Sequence, residues 1–238
     1  MRWYHHWWAI VILGLGALLA LFLALFVFYT IGYWRQIKNG EGLKLRQTFY
    51  GNFDRSIKTP LAAAKPGRAE LEGGGLFLGN PNAKISIVEF VDFKCPNSKM
   101  AAPIMRQMMA QYGYKVKLTV RLFPSESIHP GANKFAIVAA CAAEQGRFWE
   151  AHDALFSNQD AFSKELAGED YKFLADTAYL DAQKLKECVD SGRTGVKVNR
   201  DYADGFRFGV QGTPTFFINS EKVEGVVPMS EWEKVLAK

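Results

Sequence analysis

The sequence predicts an α/β domain carried behind one membrane-spanning helix. Three observations support this reading. Residues 7–34 form a run of 28 without a charged side chain. Two alternating, β-branched runs, KISIVEFVDF (84–93) and KVKLTVRLF (115–123), flank a Met- and Ala-rich stretch with no internal glycine. A long helical stretch then leads to two more short strand-like runs and a terminal helix.

Composition supports a folded chain. Of 238 residues, 49% are apolar and 22% charged, which excludes a largely disordered protein. The net charge of +5 is placed unevenly. Residues 1–77 hold nine Lys and Arg against four Asp and Glu, whereas residues 78–238 hold twenty of each. A nucleic-acid-binding domain would carry its basic excess on the folded body, so that class is excluded. Three cysteines are too few for a disulfide-dense scaffold or a four-cysteine zinc site. No phosphate loop, catalytic carboxylate pair or metal-ligand cluster stands out, so no cofactor and no metal are expected.

Residues 1–6 form a short tail, and residues 7–34 the membrane helix. About 20 apolar residues cross a bilayer core, so the run suffices with some tilt. Trp7, Trp8, Tyr29, Tyr33 and Trp34 stand at its ends, where aromatic rings favour the headgroup boundary. The competing reading is a cleaved signal peptide. The run is longer than such a segment's apolar core, and no small-x-small site follows closely. A buried soluble helix would need a polar face, which is missing. Arg35, Lys38, Lys44 and Arg46 follow the span and by themselves would keep the following domain in the cytoplasm. Long domains translocate regardless of such charges, so this argument is weak.

Residues 35–77 read as a tether, punctuated by KPGR (65–68) and Gly73-Gly74-Gly75, with Thr48-Phe49-Tyr50 resting on the membrane or the domain. The folded domain is placed at 78–238. Its strands are expected at 84–93, 115–123, 213–219 and 222–227, with a helix over 98–112. Pro130 to about Arg207 is mostly helical, broken near 158–162, 168 and 192. The terminal helix (228–237) has Ser230 as its N-cap and Glu233 at the third helical position.

The strongest chemical signal is a strand running directly into Cys95-Pro96-Asn97-Ser98 at a helix start. Unpaired N–H groups and the helix dipole favour a thiolate there, which is the nucleophilic form. Pro96 suits the first turn because its missing N–H has no helical use.

With these residues in view, the chain resembles the DsbA-like branch of the thioredoxin superfamily, membrane-anchored thiol–disulfide oxidoreductases of bacterial envelopes. The resemblance rests on LGNPNAKISIVEFVDFKCP (78–96), RLFP (121–124), IHP (128–130), EQGRFWEAHDALF (144–156) and GVQGTPTFFIN (209–219), in that order. It implies a thioredoxin-like fold with a helical insertion at about 128–207. Cys95 matches the attacking cysteine, after the DF lead-in of Asp92 and Phe93. Thr213-Pro214 matches a loop whose proline is cis and whose preceding residue offers its backbone to an extended substrate. Pro96 and Asn97 border the same substrate site. Glu89 falls where relatives carry a buried acid that moves protons. Ser98 departs from the family's C-x-x-C, so no dithiol–disulfide cycle can run at this site. A monothiol can still attack a substrate disulfide and be released by another thiol, in isomerase- or reductase-like chemistry. Ser98 can also hydrogen-bond the thiolate.

Cys141 and Cys188 match a structural disulfide that some relatives carry in the helical block. The other readings are two buried free thiols, or a redox pair of either with Cys95. A structural disulfide requires an oxidising compartment, which outweighs the flanking charges and places the domain outside the cytoplasmic membrane. Met100, Met105, Met108 and Met109 read as core, with peptide binding as the alternative. His129 reads as a loop cap and His152 as a packing or surface residue. The expected protein is a single-pass, membrane-tethered thiol–disulfide oxidoreductase. Its partners are cysteine-containing envelope or secreted proteins and a redox partner or small thiol. The alternative is a catalytically lapsed binding module or chaperone-like scaffold.

Overall fold

The computed structural model describes residues 4–38, 66–162, 166 and 168–237, and within the first helix the side chains of 10–31. The aromatic belt at Trp7, Trp8, Tyr33 and Trp34 and the Thr48-Phe49-Tyr50 piece lie outside the described side chains.

Among the described residues, the first unit (Met1–Thr59) shows helix α1 (Tyr4–Lys38). Its segment Ile10–Ile31 has a mean hydropathy of 3.0 and is long and apolar enough to cross a membrane. By length and composition a signal sequence meets the same description.

The second unit begins earlier than the sequence analysis places it. Residues 66–77, assigned there to the tether, carry helix α2 (Arg68–Glu72) and the start of strand β1 (Leu76–Gly79). Leu71 is buried, so this segment belongs to the packed body. Strand β2 (Ile85–Val91), helix α3 (Pro96–Tyr112) and strand β3 (Val116–Leu122) follow. Among the described residues, five helices form the insertion: α4 (Ala132–Glu144), α5 (Phe148–Ser157), α6 (Gly168–Thr177), α7 (Ala182–Ser191) and α8 (Gly195–Arg207). Strands β4 (Thr215–Ile218) and β5 (Glu221–Glu224) and helix α9 (Met229–Leu236) close the chain.

The sheet order is β1-β3-β2-β4-β5, with β2 central, parallel to β3 and antiparallel to β4. β4 turns into β5 through Asn219 and Ser220, both at positive φ as a two-residue hairpin turn demands. Residues alternate between faces of a strand, so Ile87, Glu89 and Val91 share one face of β2. Ile87 packs with Ala101, Met105 and Met108 of α3 and Trp232 of α9, whereas Val91 packs into the insertion helices. The opposite face buries Val88 and Phe90 with Phe123, Phe208 and Phe217. α8 approaches this face at Gly205, where a Cβ would lie 2.6 Å from the Phe123 ring.

Met105, Met108 and Met109 are buried in the core, and the peptide-binding alternative for that group draws no support from them. The terminal helix is capped by Pro228, not Ser230. The Pro228 carbonyl accepts from the Glu231 and Trp232 amides, which places Ser230 inside the first turn. A buried charge cluster ties the insertion to the sheet. The Arg121 guanidinium donates to Asp201 and Asp204 at 2.6 Å each and to the Leu71 carbonyl, with Arg121 and Asp201 fully buried.

Candidate active site

β2 ends at Val91, and Asp92 makes the turn that follows. Its Oδ1 accepts the Lys94 amide at 2.8 Å and its carbonyl accepts the Cys95 amide at 3.0 Å. Asp is suited to this because its short carboxylate bonds the backbone two residues on. Cys95 is the N-cap of α3, with Pro96 as the first helical residue. The Cys95 carbonyl accepts the Lys99 amide at 3.0 Å, the first bond of the helix.

The Cys95 side chain is 5% exposed and carries a free thiol. Its sulfur does not cap the helix. Instead the thiol donates to the Thr213 carbonyl at 3.1 Å. Thr213-Pro214 is a cis peptide, so the loop expected beside the thiol is there. Pro96 is exposed and Asn97 half-buried, at the start of α3.

Ser98 is expected to bond a thiolate, whereas the Cys95 sulfur here donates as a thiol. The Ser98 hydroxyl is fully buried and has no hydrogen-bond partner, so it does not bond the Cys95 sulfur in this state. The sulfur's bond goes to Thr213 instead. The Thr213 hydroxyl is likewise buried and unpartnered. Leaving such a group without a partner costs about 1–3 kcal/mol.

Residues distant in sequence hold the Asp92–Cys95 turn. The second Asp92 oxygen accepts the Ser125 amide at 3.0 Å and lies 2.7 Å from His129 Nδ1. His129, read from sequence as a loop cap, thus joins the 125–129 loop to the turn. Gln159 acts from the other side: its amide nitrogen donates to the Phe93 carbonyl at 2.8 Å and the Cys95 carbonyl at 3.1 Å. Asp160 pairs with Lys99. No sequence motif marks Gln159. Its only signal was its position at an expected break in the helical block.

Glu89 is 2% exposed, between Val120 on β3 and Phe216 on β4. It lies on the face of β2 covered by α3 and the insertion. Burial raises its pKa from 4.5 to about 8, because ionising a carboxyl away from water is costly. Glu89 therefore holds a proton at neutral pH. His152 is buried against Phe93, Phe148, Trp149 and Phe156, and burial lowers its pKa despite the Asp153 carboxylate 2.9 Å away. It is a packing residue under the active-site lead-in.

Cys141 on α4 and Cys188 on α7 form a disulfide, with Cα atoms 5.8 Å apart. This removes the free-thiol reading for both and any pairing with Cys95. No group of three metal-binding side chains occurs among the described residues.

A family model described as thioredoxin matches residues 71–238. A thioredoxin-like oxidoreductase from Silicibacter pomeroyi has a similar fold, at TM-score 0.62 and 24% identity over 72% of this chain and 96% of that one. The thiol-disulfide exchange protein alpha-DsbA2 from Wolbachia pipientis aligns at TM-score 0.60 and 17% identity, over 71% and 90% of the two chains. Among curated proteins, Na(+)/H(+) antiporter NhaA 3 of Salinispora tropica is 35% identical over 147 residues, 62% of this chain and 22% of the antiporter. The chain thus spans about a fifth of that relative's length.

Proposed function

The chain belongs to the thioredoxin family, and on that premise we propose that it is a membrane-tethered thiol–disulfide oxidoreductase working through the single thiol of Cys95. The observation that carries this reading is the placement of Cys95. It is the free thiol of the three cysteines, at the start of α3, with its sulfur against the cis-Pro214 loop.

The chemistry follows from one thiol. The Cys95 thiol loses its proton to solvent and leaves the Thr213 carbonyl, to which a thiolate cannot donate. The thiolate attacks one sulfur of a substrate disulfide. A Cys95–substrate disulfide forms, the substrate S–S bond breaks, and the departing sulfur leaves as a thiolate that takes up a proton. Glu89 holds a proton at neutral pH and is the group assigned to supply and recover it. A second thiolate then attacks the mixed disulfide and regenerates Cys95. If it belongs to the same substrate the disulfide has been moved, and if two small thiols are consumed it has been reduced. The unpartnered Ser98 hydroxyl donates to the thiolate once the sulfur turns from Thr213. Pro96, Asn97, Thr213 and Pro214 border the substrate strand.

α1 is assigned as a single-pass anchor, with the domain outside the cytoplasmic membrane and envelope or secreted proteins as substrates. The Cys141–Cys188 disulfide supports that compartment. Ion transport by the curated relative is not carried to this chain.

Ser98 favours a second reading, a binding module that holds partners in the same groove without chemistry. One experiment separates the two. Full-length chain in detergent is alkylated across pH without reduction, and proteins trapped on it are resolved by non-reducing gels. The oxidoreductase reading expects Cys95 to react at pH 7 faster than a peptide thiol, and its trapped partners to disappear in Cys95→Ala. Slow alkylation with partner binding that survives Cys95→Ala would establish the binding module instead.

A further inference from the structure

We infer that Gln159, in the turn after α5, is a positioning residue for Cys95, so that the helical insertion sets the reactivity of the thiol. The inference rests on the thiol reading above. Its basis is geometric: one side-chain amide donates to two carbonyls of the active-site turn, Phe93 at 2.8 Å and Cys95 at 3.1 Å.

The Cys95 carbonyl must point down α3 to accept the Lys99 amide, and a carbonyl so near the sulfur of its own residue opposes negative charge there. A second donor on that oxygen offsets its dipole and fixes the backbone from which the sulfur projects. Phe93 has left the β2 ladder, and its carbonyl is the other point where the turn needs a donor. Both are met by one residue that is 7% exposed. Gln159 is itself anchored. Asn158 bonds the Ala154 carbonyl, Phe162 packs against Phe135, and Asp160 pairs with Lys99 on the first turn of α3. The charged groups around the turn are Asp92, Lys94 and Lys99 from its own segment, and His129 and Asp160 from the loops packed on it.

Side-chain chemistry here is exacting. Glutamine is the residue of this length that is neutral and carries two N–H donors on one atom. Glutamate has the same shape but only accepts when ionised, and would set a negative charge against both carbonyls. Methionine keeps the length and removes the donors.

The test is the alkylation rate of Cys95 in the full-length chain in detergent for wild type, Gln159→Glu and Gln159→Met, from pH 5 to 9. Cys141 and Cys188 are bonded, so the signal comes from Cys95. Pulse proteolysis on the same samples reports whether each variant is folded. Folded Gln159→Glu is expected to alkylate about tenfold more slowly at pH 7, with its rate profile moved to higher pH, as a nearby negative charge disfavours the thiolate. Gln159→Met should lie between the two. Folded variants with the wild-type profile overturn the inference. So does loss of folding in both, which makes Gln159 a stability residue only. Failure of the thiol reading itself shows differently, as a wild-type chain that alkylates at pH 7 no faster than a peptide thiol.

Discussion

Replacing Glu89 with glutamine should make the protein more stable at neutral pH, by an amount that grows as pH rises. The buried carboxyl has its pKa raised from 4.5 to about 8. Between those values the folded chain keeps a proton that the unfolded chain has lost, so wild-type stability falls as pH rises. Each pH unit costs about 1.4 kcal/mol, which gives about 3 kcal/mol at pH 7 and about 5 kcal/mol once pH passes the folded value. Glutamine has nearly the same shape and stays neutral throughout. The stability difference between Glu89→Gln and wild type should therefore be flat below pH 4.5, climb up to pH 8, and level off. Pulse proteolysis in urea on the detergent-solubilised full chain at half-unit pH steps measures it. A pH-independent difference would refute the reasoning, because it would mean that Glu89 ionises in the folded protein at no cost. The same variant should slow the release of trapped mixed disulfides, since the assigned proton source is gone.

Other consequences follow from the same structure. Ser98→Cys replaces an unpartnered buried hydroxyl with a second thiol one turn from Cys95. The oxidised variant should lose its alkylatable thiol and regain two on mild reduction, counted by mass spectrometry. Cys141→Ser with Cys188→Ser opens a crosslink between residues 47 apart, which the chain-entropy estimate values at about 4 kcal/mol. The urea midpoint should fall accordingly, with Cys95 chemistry retained in the folded fraction. Arg121→Met leaves Asp201 buried without its main partner and should destabilise by about 3 kcal/mol in the same urea titration. His152 has its pKa lowered by burial, so wild-type stability should also decline as pH drops below 6.5. His152→Leu should lack that acid-side loss.

What the sequence made legible was what is local in the chain. β2, α3 and β3 were readable because alternation and helical spacing act over a few residues, and Cys95 because a strand ran straight into a proline-initiated helix. β1 was missed because four residues between glycine turns carry no period, and its pairing partner β3 lies about forty residues away. The cap of α9 was misplaced because Ser230 with Glu233 has the capping-box spacing, yet the chain turns at Pro228. Glu89 was found by resemblance, since a lone acid in a strand looks the same whether it faces water or the core. Gln159, His129 and Arg121 act on partners 37 to 83 residues away, and no local pattern announces such contacts.

These long contacts explain what the serine at position 98 changes and what it leaves. A second cysteine would add the capacity to hold two electrons as an internal disulfide. Under the proposed function the remaining parts serve a different step, attack by one sulfur. The cis-Pro214 loop meets the sulfur at Thr213, Asp92 and Gln159 fix the backbone that presents it, and Glu89 holds a proton through neutral pH. None of these contacts involves the Ser98 side chain, so losing the second sulfur need not disturb them. Under the proposed function, a site built this way forms mixed disulfides and cannot resolve them alone. Its rate should therefore depend on the concentration and identity of the second thiol. A disulfide-exchange assay at fixed substrate, with added small thiol varied, should show that dependence in wild type. Ser98→Cys should abolish it, because the resolving thiol then lies within the same turn of helix. Wild-type turnover that ignores added thiol, on a substrate with a single disulfide and no free cysteine, would overturn this account.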